Sequence, residues 1–233
     1  VYGNIIAFSG RINPEENDGA KYMNTADTIV YKKRQNLFGI DVAKNHCAKC
    51  MILVEGNMDV ISLHQAGFKN VVAPLGTALT EEQIKLLAKL TKEIILLFDS
   101  DIAGQKATEK VINLFKGSGL SVCVVELPNT KDPDEFIKKN GAEAFKALLN
   151  SAVCDIEYKL LCAEKEIEIN SDTSKLKYLT AAAEIIASSD DVLAREVYID
   201  SLSRKYSTSK EALTKKVEEI SNGKKEKIAD AEQ

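Results

Sequence analysis

The sequence lacks any apolar run near the ~20 residues that a membrane-spanning helix needs. It lacks a basic-then-apolar leader as well: it opens VYGNIIAFSGR, on Val1 rather than a methionine. A soluble chain is expected, and first residues that read as mid-strand suggest a piece of a longer protein. A disulfide framework is missing too. Five cysteines, at positions 47, 50, 123, 154 and 162, are odd in number and scattered over 233 residues, which points to a reducing cytosol. Cys47 and Cys50 form a CxxC preceded by His46, but no second pair follows to complete a tetrahedral site. No structural zinc is expected, and the two thiols are read as lying in a surface turn. There is no overall excess of positive charge: 31 Lys and Arg against 35 Asp and Glu leave −4. A whole-chain sum does not exclude a local basic groove, and only the first 50 residues are net basic. No internal repeat or low-complexity block is present.

What is there divides into three regions. Residues 1–50 mix short β-rich stretches such as IIAFSGR with a turn-rich segment and a short helix, a mixed α/β lobe. Residues 51–150 alternate strand and helix. MILVE, KNVVAPL, IILLF and LSVCVVEL are apolar runs without alternation, and helical spacing follows each of the first three. Thr80 and Gln83 form a capping box. Continuously apolar strands are buried on both faces, so the expected fold class is α/β, a mostly parallel sheet with flanking helices. Residues 151–233 contain no expected strand. Val153, Ile156 and Leu160, then Leu176, Leu179, Ala183 and Ile186, then Leu213, Val217 and Ile220 repeat at helical spacing, and Thr208 to Glu211 reads as another capping box. A C-terminal helical bundle with a frayed end is expected.

Carboxylates follow three of the strands. Glu55 follows MILV, Asp99 and Asp101 follow IILLF, and Asp132 and Asp134 lie beyond VCVVEL. In an open parallel sheet, ligands bind beyond the carboxyl ends of the strands. Strands lie ~5 Å apart, so these five groups should converge, and an extended D-x-D turns both side chains one way. Like charges that close repel unless a cation intervenes. All-oxygen ligands favour Mg²⁺ or Mn²⁺ over zinc, and Mg²⁺ commonly shares itself with substrate phosphates. Gly56 and Gly104 suit tight strand-to-helix turns. The plainer alternative is that Asp101 caps the next helix and that Asp132 and Asp134 serve a turn beside Pro133.

The ordered set VEGNMDV, LGTALT and FDSDIAG resembles the Toprim domain, shared by bacterial primases, type IA and II topoisomerases, and some nucleases and recombination proteins. The flanks GAKYMNT, KKRQNLFGI and KDPDEFIKKNG are similar to the catalytic core of bacterial DnaG-type primases, from residue 1 to about 150. That resemblance implies a nucleotidyltransferase, a DNA-dependent RNA polymerase that makes short RNA primers on single-stranded DNA for replication. It implies two or more Mg²⁺ or Mn²⁺ ions. Glu55, Asp99 and Asp101 would be catalytic, and Glu55, Asp99, Asp101, Asp132 and Asp134 would hold metal. Arg11, Lys21, Lys33, Arg34 and Asp59 would serve nucleotide or template. Implied partners are a single-stranded DNA template, ribonucleoside triphosphates, and a replicative helicase bound through a C-terminal domain expected to lie outside this sequence. The family's zinc-binding domain and the basic segment before Val1 are expected to be missing as well. A monomer in the bacterial cytoplasm, at the replisome and off membranes, is expected. Three positions depart from the family: Asn57 stands where an aromatic is usual, Ser100 where glycine is, and Gln105 where a basic residue is.

Three other readings share the carboxylates. A Toprim nuclease would cleave DNA. A topoisomerase piece needs a nucleophilic tyrosine, and none of the seven tyrosines sits in a recognisable motif. A non-catalytic interaction module would not need the full acidic set. His64 and Cys123 are read as structural.

Overall fold

The computed structural model describes residues 4–11, 22–76, 78–189 and 191–231, with no account of the side chains at 102 and 224–231. It comprises two compact units, Val1–Cys154 and Asp155–Gln233.

In the first unit, β1 (Ser9–Arg11) and β2 (Tyr22–Asn24) pair antiparallel, with Ser9 opposite Asn24. A 3-10 turn at Lys33–Gln35 and a single helical turn, α1 (Ile40–Ala43), follow. Then strand and helix alternate: β3 (Met51–Leu53), α2 (Asn57–Gln65), β4 (Val71–Val72), α3 (Glu81–Ala88), β5 (Glu93–Leu96), α4 (Ile102–Leu114), β6 (Ser121–Val124), α5 (Pro133–Leu149) and β7 (Val153–Cys154). The sheet order is β4-β3-β5-β6-β7, parallel except for β7. Met51, Ile52, Leu53, Ile94 and Leu96 are fully buried, as uninterrupted apolar strands require. The chain runs outward from β3 to β4 and returns past β3 to β5. The strand order therefore reverses between β3 and β5, and an open α/β sheet binds its ligands at such a point.

The capping box at α3 is present, with Thr80 Oγ1 accepting the Gln83 N–H. Gln83 does more. Its side chain is wholly buried, and its Nε2 donates to the carbonyls of Lys33 and Asn36 at 3.0 and 2.7 Å. Thr80 Oγ1 donates to the Arg34 carbonyl at 2.6 Å. One helix start thus holds the 3-10 turn that carries Lys33 and Arg34. Gln83→Leu keeps the volume and strands both carbonyls, so it should cost about 2–3 kcal/mol in urea unfolding. A loss under ~0.5 kcal/mol would show that water replaces the amide.

Several expectations need correction. Val153 belongs to no helix: Val153–Cys154 forms an edge strand antiparallel to β6. Its partner backbone is nearly 30 residues upstream, and a local periodicity cannot register that. The second correction is the start of α9. Ser207 ends α8 in the left-handed region (φ 48°), and the Thr208 N–H closes that helix on the Ser203 carbonyl. Thr208 is thus spent on the preceding helix, and Ser209 caps instead, accepting the Ala212 N–H at 3.2 Å.

The second unit holds α6 (Asp155–Ile167), α7 (Asp172–Ile186), α8 (Val192–Tyr206) and α9 (Lys210–Ala231). Its core is Tyr158, Leu160, Tyr178, Leu179, Ala183, Ile186, Ile199, Leu202, Leu213 and Val217. Leu176, expected in the α7 stripe, is exposed; Tyr178 takes that share of the core. His64 is structural as expected, its Nε2 lying 3.0 Å from the Val71 carbonyl. Cys47 does not face solvent from its turn. It is buried, and its Sγ donates to the carbonyls of Lys44 and Leu90.

Candidate functional site

β3 and β5 are hydrogen-bonded neighbours, so the residues just past their ends meet across the switch point. Glu55 Oε1 accepts the backbone N–H of Asp99 at 3.1 Å. This bond ties the first acidic turn to the second. The second turn is tight: a Cβ on Gly104 would lie 2.1 Å from the Asp99 carbonyl oxygen, so only glycine lets α4 start this close to Asp99.

Both D-x-D pairs run into helix starts. Asp101 caps α4, its Oδ1 accepting the Gly104 N–H at 2.7 Å, and Asp132 caps α5, its Oδ1 accepting the Glu135 N–H at 2.7 Å. Asp134 lies in the first turn of α5, paired with Lys138 at 2.5 Å and hydrogen-bonded by Ser62. Those hydrogen bonds hold its carboxyl below the usual range despite partial desolvation. The capping alternative is therefore real, and the capping carboxylates sit at the ligand edge of the sheet all the same. Among the described residues, no three His, Cys, Asp or Glu side chains stand ready as a metal cage. The expected convergence is thus incomplete: caps and the Lys138 pair draw the oxygens onto helix starts. Ser100, the departure from glycine, ties two of these turns together. Its N–H donates to the Lys131 carbonyl at 3.2 Å and its Oγ to the Thr130 carbonyl at 2.7 Å.

Asp59, in the first turn of α2, is buried, with 8% exposure. Desolvation and the charges of Asp99 and Asp132 push its carboxyl up to about 7, against the bonds it accepts from the backbone of Asp134 and Gly56. A folded-state value above the ordinary ~3.9 means that the protonated form favours folding. Its contribution is full below pH ~4 and is lost as pH rises through about 7. Asp59→Asn should therefore raise unfolding stability at pH 8, relative to pH 4, by roughly 2–4 kcal/mol in chelator-treated protein. An unchanged pH profile would remove Asp59 from the acidic edge.

Lys33 and Arg34 line a cleft of about 500 Å³ with Ala26, Asp27 and Thr80. Arg34 is paired with Glu82 at 2.7 Å. Arg11 borders a second hollow, of about 380 Å³, with Phe8, Gly10, Met23, Asn24 and Thr25; its charge reaches Asp134. Lys21 lies outside the described residues. Sequence reasoning missed a link between the hairpin and the site. Asn57 Nδ2 donates to Ser9 Oγ at 2.6 Å, and Ser9 Oγ donates to Asn24 Oδ1 at 2.6 Å. Asn24 stands in the GAKYMNT motif, and Asn57 is one of the departures, so the signal was present as residue types without a contact to join them.

A family model described as Toprim-like matches residues 52–137, the sheet with the acidic edge. The fold and site thus define a Toprim-class domain. Models for the DNA primase catalytic core, N-terminal domain, and for the DnaB-helicase binding domain of primase match residues 1–44 and 156–211. The chain is 33% identical to a solved DNA primase domain from Pseudomonas aeruginosa, with a TM-score of 0.74, covering 95% of this chain and 69% of that one. It is 28% identical to a solved DnaG primase catalytic domain bound to single-stranded DNA, with a TM-score of 0.73 over 91% of this chain and 68% of that one. It is 40% identical to the DNA primase of Clostridium acetobutylicum over 91% of its own length. The chain belongs to the bacterial DnaG-type DNA primase family. It spans 35% of the length of that Clostridium relative. Where the helicase contact was expected to lie outside this sequence, the model described as the DnaB-helicase binding domain of primase matches residues 156–211 within it, and the likeness to the Clostridium relative runs past residue 150. No described helix is long and apolar enough to cross a membrane.

Proposed function

We propose that this chain carries the polymerising centre of a primase, joining ribonucleotides on a single-stranded DNA template by nucleotidyl transfer. The observation that carries the reading is the acidic edge at the strand-order reversal, where burial and then the charges of Asp99 and Asp132 raise Asp59 above its ordinary value. These hard oxygen donors fit Mg²⁺ or Mn²⁺, held by Asp99, Asp101, Asp132 and Asp134 with Glu55 beside them. Bound there, the metal would supply neutralisation of the triphosphate and of the leaving pyrophosphate. Glu55, its Oε1 steadied by the Asp99 N–H, takes the proton of the primer 3′-hydroxyl. Lys33 and Arg34 bind triphosphate from their cleft, and Lys21, in the separate GAKYMNT motif, serves the same triphosphate; Arg34 exchanges Glu82 for phosphate. Arg11 and the net-basic first 50 residues meet template phosphate, in salt-sensitive binding. The α6 to α8 segment is the contact for the replicative helicase, and the working form is a cytoplasmic monomer.

The test is a gel of the chain with labelled single-stranded DNA, ribonucleotides and Mg²⁺ or Mn²⁺. Short RNA products that vanish with EDTA are expected. Shortened DNA would replace the reading with the nuclease, and neither product would favour the non-catalytic module.

A further inference from the structure

Two cysteines that the proposed chemistry does not use are brought together by the fold. Cys123 on β6 and Cys154 on β7 are direct partners in the antiparallel register. Directly opposite residues in such a pair have Cα atoms ~4.5 or ~5.5 Å apart, and Cβ atoms ~4.5–5.5 Å apart on one face. A disulfide asks for Cα atoms roughly 4.4–6.8 Å apart and Cβ atoms roughly 3.5–4.5 Å apart. The register therefore already meets the backbone requirement, and the Cβ atoms need to close by about 1 Å or less. β7 is a two-residue edge strand bonded to the sheet on one side only, so it can supply that movement. Both cysteines are half-buried. Nothing in the sequence hinted at this. The two residues are 31 positions apart, and Cys154 reads as helical until β6 claims it.

We propose that Cys123 and Cys154 form a reversible dithiol site, oxidised to an intramolecular disulfide by a small disulfide such as oxidised glutathione. The thiolate of one cysteine attacks the glutathione disulfide, forming a mixed disulfide and releasing one glutathione thiolate. The second cysteine attacks the protein sulfur of that bond, closing Sγ to Sγ and releasing the other glutathione thiolate. The two cysteine protons pass to solvent, so two thiols are oxidised as one glutathione disulfide is reduced. The ring closed in this way runs from 123 to 154. It contains Asp132, Asp134 and all of α5, and it fastens the last strand of the first unit. In a reducing cytosol such a bond is transient and responsive rather than permanent.

The experiment uses the whole 233-residue chain, reduced and then exposed to oxidised glutathione. A non-reducing digest should yield one peptide pair joined through Cys123 and Cys154. Thiol titration should fall by two, and dithiothreitol should restore both. Closing a ring of this size should raise the melting temperature by roughly 5 °C or more. Cys154→Ser, on the edge strand, should abolish both the linkage and the rise while leaving the reduced fold unchanged. Cys123→Ser should do the same, and the edge-strand variant decides alone if Cys123→Ser does not fold. Glutathione adducts that persist on either cysteine, a bond confined to Cys47 and Cys50, or disulfide-linked chains would each overturn the site.

Discussion

Glu55→Gln is expected to lower primer synthesis by a factor of ~10²–10⁴ while shifting the melting temperature by less than about 2 °C. Both halves of that result follow from one hydrogen bond. Glu55 is exposed beyond the end of β3, and its Oε1 accepts the Asp99 N–H at 3.1 Å. Glutamine keeps an oxygen in that place, so the tie between the β3 and β5 turns survives. It loses the negative charge and the capacity to take a proton, which are what a general base or a metal-side carboxylate supplies. The measurement is primer yield per unit time, set beside a thermal melt. An equal loss of melting temperature and activity would mean that Glu55 serves only to hold the two turns. Unchanged activity would move the base elsewhere on the acidic edge.

Gly104→Ala should destabilise the first unit by about 3 kcal/mol or more and lower activity with it. Two effects oppose one another, and magnitude decides. Within a helix, alanine is favoured over glycine by about 1 kcal/mol. Against that, the new Cβ would lie 2.1 Å from the Asp99 carbonyl oxygen and 2.8 Å from its carbonyl carbon, and these are backbone atoms that no rotamer can remove. Either α4 backs away, giving up the Asp101 cap on the Gly104 N–H, or Asp99 moves and leaves Glu55. Gly223→Ala is the matched control. It lies in α9 with nothing within 4 Å of its Cβ position, so it should gain up to ~1 kcal/mol. Denaturant unfolding of the two variants should move in opposite directions. A neutral Gly104→Ala would mean that the start of α4 tolerates a shift of more than 1 Å.

Much of the site was legible before any fold was known, because it depends on local pattern. Four apolar runs without alternation mark strands buried on both faces, and the carboxylates could be placed at strand ends by counting along the chain. The family likeness rested on short ordered motifs of the same kind. The errors have a common origin in partners distant along the chain. Val153 and Cys154 read as helix because their strand partner is β6. Thr208 read as a cap because nothing nearby shows that the end of α8 uses it. The two D-x-D pairs would turn both side chains one way only on extended backbone, and each runs instead into a helix start.

The sequence by itself determined the fold class, the order of the elements and the set of carboxylates, since periodicity and residue type act over a few positions. The tertiary structure alone decided how those carboxylates are used. It spends Asp101 and Asp132 partly on helix starts, buries Asp59 among like charges, and joins Ser9 to Asn57 across 48 positions. It also sets Cys123 opposite Cys154. The physical reason is that hydrogen bonds, desolvation and charge repulsion act through space over a few ångströms, and only the folded chain brings residues so far apart in sequence to that distance.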